Sequence, residues 1–272
     1  MPVLPEVEVI RRGLAPQIVG RRVLAITVGE KSLRQESSPA ELKKWLKGRR
    51  LVRLRRRGKY LLFYLEGGAT LLIHMGMTGR LLLGPGRFFD LPHVHYLFDF
   101  QGGLKLIFQD VRRFGQVQVY PPGVPPLPLA QVGREPFSKK VTAQWLAEKA
   151  RARLRPIKNF LLDGHIMAGI GNIYACEILF AAGLHPATPV SRLSVEQWDR
   201  LLKETRRILR RAIRRGGTTV ANYLNSQGET GLFQLELQTY GRGGEPCRRC
   251  GRPISRFTQA GRSTFFCPGC QV

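Results

Sequence analysis

Residues 247–270 read CRRCGRPISRFTQAGRSTFFCPGC, and this stretch determines the architecture of the C-terminal end of the chain. It holds two Cys-x2-Cys pairs, with the cysteines at Cys247, Cys250, Cys267 and Cys270. This spacing is typical of a tetrahedral zinc site in which a short β-hairpin brings two cysteine turns together. Two disulfide bonds are the alternative, although they suit secreted chains. We therefore predict one structural Zn²⁺ per chain, and we expect the fifth cysteine, Cys176, to be a buried apolar side chain.

The region before the cysteine pairs is predicted to be helical. Ser194 and Gln197 have the spacing of a capping box, and apolar residues at helical spacing follow as far as Ile213. Gly216 and Gly217 end this pattern. The opposite face of the predicted helix is basic, and we expect most of its arginines to be solvated: Arg206, Arg207, Arg210, Arg211, Arg214 and Arg215.

A glycine turn joins two other helical patterns in the same region. In residues 169–174, GIGNIY, the second pattern starts near Asn172, so its first backbone N–H groups have no partner within the helix. Such groups bind phosphate through hydrogen bonds and the helix dipole together. The turn therefore suggests contact with a nucleic-acid backbone rather than recognition of bases, although Gly-x-Gly before a helix is common.

The first part of the chain is dominated by strand patterns. Short apolar or alternating runs separated by glycine-rich turns occur at residues 60–65, 70–74, 80–83, 95–100, 104–108 and 116–120. Strands at this spacing predict a β-sandwich or barrel. Helices are expected at residues 6–14 and 39–47, and the Pro-rich residues 121–135 are expected to be a linker. The fold class is therefore predicted to be α+β.

The charge of the chain points to a polyanionic partner. Lys and Arg number 44 against 19 Asp and Glu, which gives a formal net charge of +25. Nucleic acid is the simplest partner for such a surface, whereas a membrane surface would call for an amphipathic helix that we do not find. Neither a long apolar run nor a signal peptide is evident, so we expect a cytoplasmic protein, and we expect it to be a monomer.

The second residue, Pro2, is a candidate nucleophile. Removal of Met1 would leave a secondary amine, and an α-amino group titrates near pH 8, so much of it is nucleophilic at neutral pH. Such an amine attacks a sugar C1′ to form an iminium ion. The simpler alternative is that Pro2 only permits removal of the methionine.

Three segments resemble the formamidopyrimidine-DNA glycosylase family, the bacterial enzymes that repair oxidised purines. They are PVLPEVE at residues 2–8, AGIGNIYACEILF at 168–180 and GRSTFFCPGCQ at 261–271. The resemblance runs from residue 1 to 271 and implies an N-terminal β-sandwich, a helix–two-turn–helix domain and a zinc finger. We place these at residues 1–120, 136–233 and 234–272, with the linker at 121–135. Leu4-Pro5-Glu6 favours the purine-directed branch over the endonuclease VIII group.

The resemblance assigns a catalytic set in the first part of the chain. Pro2 matches the nucleophile that forms a Schiff base with C1′, and Glu6 matches an acidic residue near it. Lys59 matches a lysine that contacts the phosphate beside the lesion; without the motif it would be one more member of the basic run at residues 49–57. Residues 216–225 match a mobile region that closes over the flipped base.

A second set is implied to contact damaged double-stranded DNA. Met77, Arg112 and Phe114 match three residues that fill the gap left by the extruded base, although Met77 or Phe114 alone would more often be core residues. Asn172 and Arg262 match residues that contact the DNA backbone, and the arginine fork suits phosphate.

Val3 departs from the family pattern, which has Glu directly after the nucleophilic proline. That carboxylate is thought to assist opening of the sugar ring and the proton transfers of base release, and valine transfers no proton. The expected function is a glycosylase and AP lyase that removes 8-oxoguanine and formamidopyrimidines through Pro2, followed by β,δ-elimination, with base excision weakened by Val3. A catalytically impaired lesion-binding protein is the first alternative, and a zinc-ribbon nucleic-acid-binding protein without repair chemistry is the second.

Overall fold

The computed structural model describes residues 2–85, 91–218 and 232–272, which fall into two compact units. The first comprises Met1–Ala130 and Arg215–Leu232, and the second comprises Gln131–Arg214 and Phe233–Val272. Among the described residues, no helix is long and apolar enough to cross a membrane.

The first unit is a β-sandwich with two helices. Its helices are α1 (Leu4–Ile18) and α2 (Pro39–Leu46); its strands are β1 (Val23–Val28), β2 (Gln35–Glu36), β3 (Leu51–Arg57), β4 (Tyr60–Leu65), β5 (Thr70–His74), β6 (Arg80–Pro85), β7 (Val94–Phe100), β8 (Leu104–Gln109) and β9 (Gln116–Tyr120). One sheet has the order β2-β9-β5-β4-β3 and the other β1-β7-β8-β6. All pairs are antiparallel except β2 with β9. Apolar side chains of both sheets form one core, which confirms the predicted sandwich.

Helix α1 packs an apolar stripe against this core. Val7, Ile10, Leu14 and Ile18 are fully buried and follow helical spacing. The helix continues beyond the predicted end at residue 14 and includes Pro16, because burial of Ile18 extends the stripe by another turn. The first residues of the chain are thereby held against the sandwich.

The second unit is helical and ends in a β-hairpin. It contains α3 (Ala143–Ala150), α4 (Ile157–Leu161), α5 (Asn172–Ala182), α6 (Val195–Arg214), β10 (Ser255–Gln259) and β11 (Arg262–Phe266). Helix α5 is buried on nearly every side and ends at Gly183, whose φ of 69° is left-handed. The predicted capping box of α6 is confirmed, because the Ser194 amide donates to Gln197 Oε1 and the Gln197 amide donates to Ser194 Oγ.

Three arginines on the basic face have oxygen partners within the chain. Arg206 donates to the carbonyl oxygens of Pro136, Ser138 and Val141. Arg207 pairs with Glu204 on the same helix, and Arg211 pairs with Glu236. Only Arg206 is half-buried, because the chain itself supplies its oxygen acceptors; the other five arginines are exposed, in line with the expectation that most are solvated.

Candidate functional site

Pro2 and Val3 lead directly into α1, and both are buried. Val3 is the residue before the first turn of the helix, and its side chain is 6% exposed. Valine has no side-chain acceptor for the free N–H groups of that turn. Met1 lies outside the described residues.

The Glu6 carboxylate is buried and engaged in hydrogen bonds. Its Oε2 accepts from the Val3 amide at 3.0 Å, and its Oε1 accepts from the amide and hydroxyl of Thr218 at 2.9 and 3.0 Å. Gly217 lies so close that a Cβ there would be 3.0 Å from Glu6 Oε1. Glu6 therefore ties the start of the chain to residues 217–218, the described beginning of the segment predicted to be mobile. The rest of that prediction, at residues 219–225, lies outside the described residues.

Lys59 lies in the two-residue turn that joins β3 to β4. The turn begins with Gly58, whose φ of 56° is left-handed, as tight hairpins require. His74, at the end of β5, pairs with Tyr60 across the sheet, and the two ring centroids lie 4.8 Å apart with the planes tilted by 41°. Burial, with a further contribution from the Lys59 charge, lowers the pKa of His74 to about 4. Nδ1 of His74 accepts a hydrogen bond from the Gly76 amide at 3.2 Å, and only the neutral imidazole can accept this bond.

His74 was not identified from the sequence. The only available signal was the sequence HMGM, in which a histidine precedes Met77 by three residues. The structure brings the Lys59 charge close to His74, and the Gly76 amide bonds the Met77 turn to His74.

Met77, Arg112 and Phe114 lie on two neighbouring connections of the sandwich. Met77 belongs to the turn between β5 and β6, whereas Arg112 and Phe114 belong to the loop between β8 and β9. Met77 is 42% exposed and Phe114 is 39% exposed, which excludes the alternative that they are core residues. The guanidinium of Arg112 lies 4.9 Å from the centroid of the Phe114 ring. This arrangement offers an apolar and planar surface suited to stacking with bases.

Asn172 and Arg262 are brought together in the second unit. Asn172 starts α5 after Gly171, and its Nδ2 donates to the Ser263 carbonyl at 2.9 Å. Arg262 opens β11 directly after the turn at Ala260 and Gly261, which both have positive φ. The free N–H groups of α5 and the guanidinium of Arg262 can both donate to phosphate oxygens.

Lys158 bonds the two residues that follow Arg262, and it was not identified from the sequence. It is fully buried, and its Nζ donates to Thr264 Oγ1 at 2.7 Å and to the Ser263 carbonyl at 3.2 Å. Burial lowers the pKa of Lys158. Cys176 is buried nearby, as predicted, and burial raises the pKa of its thiol to about 11.

The four cysteines of residues 247–270 form one cluster. Their Sγ atoms all lie within 4.8 Å of one another, with separations of 3.4 Å for Cys250 and Cys267 and 4.0 Å for Cys247 and Cys270. Zn–S bonds of about 2.3 Å in a tetrahedron place sulfur atoms about 3.8 Å apart, so the cluster fits Zn²⁺. The Arg249 amide also donates to Cys247 Sγ, which supports a thiolate. With four protein ligands the zinc is structural, because no coordination position stays open.

Three parts of the chain each match a known protein-family domain. Residues 1–117 match the formamidopyrimidine-DNA glycosylase N-terminal domain, residues 132–223 match the H2TH domain of formamidopyrimidine-DNA glycosylase, and residues 244–272 match a zinc finger found in FPG and IleRS. A formamidopyrimidine-DNA glycosylase from Cupriavidus pinatubonensis is 44% identical over 288 residues, covering 100% of both chains. One from Bacillus licheniformis is 42% identical over 277 residues, covering 100% of this chain and 99% of the other.

Solved structures agree with this assignment. MutM (Fpg) from Thermus thermophilus superimposes with a TM-score of 0.89 and 39% identity, covering 99% of this chain and 98% of the other. Lactococcus lactis Fpg in complex with DNA containing an abasic site gives a TM-score of 0.88 and 35% identity, with 99% of each chain covered. A mutant of that protein bound to DNA containing Fapy-dG gives 0.90 and 36%, with 99% of each chain covered.

A β-sandwich that opens on Pro2, a helical unit with a glycine turn and a four-cysteine finger define a zinc-finger DNA glycosylase. The chain belongs to the formamidopyrimidine-DNA glycosylase family, since every part matches that family in order and whole-length relatives share 44% of its sequence. The family assignment made from the sequence is confirmed.

Proposed function

We propose that this protein excises oxidised purines, 8-oxoguanine and formamidopyrimidines, from duplex DNA and then cleaves the strand. The observation that supports this most strongly is the whole-length match to formamidopyrimidine-DNA glycosylases together with a proline after the initiator methionine. Damaged double-stranded DNA is the proposed partner, and Fpg of Lactococcus lactis has been solved in complex with DNA containing Fapy-dG or an abasic site. We also propose that the protein acts as a monomer in the cytoplasm.

Pro2 is the proposed nucleophile. Its amine attacks C1′, the base leaves, and the C1′–O4′ bond then opens with protonation of O4′ to give an iminium ion; at a preformed abasic site the amine adds to the aldehyde and loss of water gives the same ion. The iminium acidifies the C2′ proton, whose removal expels the 3′ phosphate; a second elimination expels the 5′ phosphate, and hydrolysis frees Pro2. Lys59, Asn172 and Arg262 are proposed to hold the phosphates near the lesion, and Met77, Arg112 and Phe114 to fill the gap. The zinc takes no part in these steps.

Val3 is proposed to slow the release of the base. Opening of the sugar ring and departure of the base need proton transfers, and a buried valine supplies none. The Glu6 carboxylate is a poor substitute, because it already accepts hydrogen bonds from Val3 and Thr218. We therefore assign Glu6 the task of holding the N-terminus beside the Gly217–Thr218 backbone.

A second candidate function is lesion binding with little or no chemistry. Val3 is the observation that favours it. In that case the DNA-contacting residues would serve recognition alone, and any remaining activity would be limited to lyase chemistry at abasic sites.

Borohydride trapping on abasic-site DNA tests the proposal. Intact mass is measured first, because a retained Met1 would turn the Pro2 nitrogen into an amide and abolish both activities. With Met1 removed, borohydride should reduce the iminium and leave a covalent protein–DNA product. Pro2→Gly should lower the yield of this product. A processed protein that binds abasic DNA but gives no trapped product would support the lesion-binding function instead.

A further inference from the structure

The loop that carries Arg112 and Phe114 is folded around one buried carboxylate. Asp110, the residue after β8, is fully buried. Its Oδ2 accepts from the Gly115 amide at 2.8 Å, and its Oδ1 accepts from the Arg112 amide at 3.3 Å. These bonds close residues 110–115 into a loop of defined shape, because two of its backbone amides converge on one side chain.

A hydroxyl group joins this loop to the Met77 turn. Thr78 Oγ1 donates to Asp110 Oδ1, and it also accepts from the Arg112 amide at 3.2 Å. One side chain of the Met77 turn therefore bonds both the carboxylate and the backbone of the neighbouring loop. The Asp110 backbone is anchored in turn, since its carbonyl oxygen lies 2.8 Å from Nε2 of the buried His95.

The two backbones are also in direct contact. Gly76 has a left-handed φ of 58°, and a Cβ at this position would lie 2.5 Å from the carbonyl carbon of Phe114 and 2.7 Å from the Gly115 nitrogen. Glycine is therefore required where the Met77 turn crosses the Phe114 loop. Close packing and the Thr78–Asp110 bond together hold the two segments in one fixed arrangement.

We propose that Asp110 and Thr78 are positioning residues for base extrusion, which lock the Met77 turn to the Arg112–Phe114 loop so that three side chains act as one wedge. This inference rests on the proposed function, in which those side chains fill the gap in the DNA. Separating stacked bases costs about a few kcal/mol per step, so a wedge that moves freely before insertion would be less effective than one that is already ordered.

Thr78→Val is the decisive variant. It keeps the shape of the side chain and removes the hydroxyl that links the two segments, while the bonds from Asp110 to Arg112 and Gly115 remain. Thr78→Ser retains the hydroxyl and should restore the wild-type behaviour. Thr27→Val, at an exposed threonine of β1, controls for the loss of a hydroxyl elsewhere in the same unit.

Insertion is measured by the rise in 2-aminopurine fluorescence when the protein binds a duplex with a stable abasic analogue beside the probe. Thr78→Val should lower the insertion rate about tenfold, the effect of losing a hydrogen bond to a charged group. Thr78→Ser and Thr27→Val should stay near the wild-type rate. Thr78→Val also removes a donor from a buried carboxylate, so its thermal midpoint should fall by a few degrees. Binding to undamaged duplex, measured well below that midpoint, should change little in all three variants, which separates positioning from general destabilisation.

The outcomes distinguish this inference from the proposed function. If the wild-type protein inserts normally and Thr78→Val matches it, the lock is not needed and the inference is wrong. Failure of the wild-type protein to bind or trap abasic DNA would instead overturn the proposed function. Asp110→Asn gives an independent check, because its amide group cannot accept from both Arg112 and Gly115; insertion at the wild-type rate there would also overturn the inference.

Discussion

At the scale of single residues, position 3 is proposed to limit the rate of base removal. Val3 is buried at the start of α1, and a proton-transferring side chain there typically contributes about 10²–10⁴ in rate. We predict that the wild-type protein excises 8-oxoguanine more slowly than Val3→Glu by about this factor. Strand cleavage at preformed abasic sites should differ far less, because the base has already gone and the open-chain aldehyde forms spontaneously.

Single-turnover rates on the two substrates measure this difference. Val3→Gln is the matched control, since it has nearly the size of glutamate and transfers no proton. Equal excision rates for the wild type and Val3→Glu would show that another group transfers the proton, and Glu6→Gln would then be the next variant.

His74 predicts a specific dependence of stability on pH. Its pKa is about 4 in the folded protein against an ordinary value of 6.5. Between pH 4 and pH 6.5, His74 is therefore protonated in the unfolded chain and neutral in the folded protein. The free energy of unfolding should therefore be highest above pH 6.5, fall as the pH drops toward 4, and lose at most about 3 kcal/mol from this group.

Urea unfolding at several pH values tests the His74 contribution. His74→Gln keeps an acceptor for the Gly76 amide but does not titrate in this range, so its stability should decline less between pH 6.5 and 4. The same decline in both proteins would show that carboxyl groups, rather than His74, dominate the pH dependence.

At the scale of elements, strongly patterned segments were predictable and basic strands were not. Helix α5 starts at Asn172, as predicted, because glycines flank it and nearly every side chain is apolar. Strand β3 was not predicted: its sequence LVRLRRR reads as a basic run, and only Leu51 and Leu54 are buried. A register shift between Leu51 and Arg53 breaks the alternation that identifies a strand.

The same contrast holds for the site. The zinc ligands were predictable, because metal ligation needs cysteines at fixed short spacings. Asp110 and Lys158 were not, because the side chain that each one bonds is distant in sequence: Thr78 lies 32 residues from Asp110, and Thr264 lies 106 residues from Lys158. Only the tertiary fold brings such pairs together.

The zinc hairpin predicts a loss of DNA binding when one ligand is removed. Cys250→Ser should lose the metal, and with it the position of Arg262 at the start of β11. Binding to damaged DNA should fall, whereas hydrogen exchange in β7 and β8 should be unchanged, because those strands belong to the other compact unit.

Zinc content and DNA affinity are measured together. Cys176→Ala is the control, since this cysteine is not one of the four clustered thiols. Retained DNA affinity in a zinc-free Cys250→Ser protein would show that Arg262 does not depend on the metal for its position.

At the scale of the whole molecule, the 44 Lys and Arg side chains are not all available to DNA. Arg56, Arg11 and Arg12 all contact Glu8, and they hold the pKa of that carboxyl at about 2 although burial alone would raise it. On α6, Arg206 and Arg211 are bound to protein oxygens. Binding should therefore depend on a limited number of phosphate contacts rather than on net charge.

A limited number of phosphate contacts predicts a salt dependence of DNA affinity that can be assigned to particular residues. Each phosphate neutralised by a cation releases counterions, so affinity for damaged duplex should fall at least about tenfold between roughly 50 and 200 mM salt. Arg262→Gln should reduce the slope of log K against log salt by about one, because one phosphate contact is lost. Lys203→Gln is the matched control: Lys203 is exposed on α6, but Asp199 lies 2.7 Å away and already balances its charge, so the slope should hardly change. An equal reduction in both variants would mean that net charge, and not a defined set of contacts, governs binding.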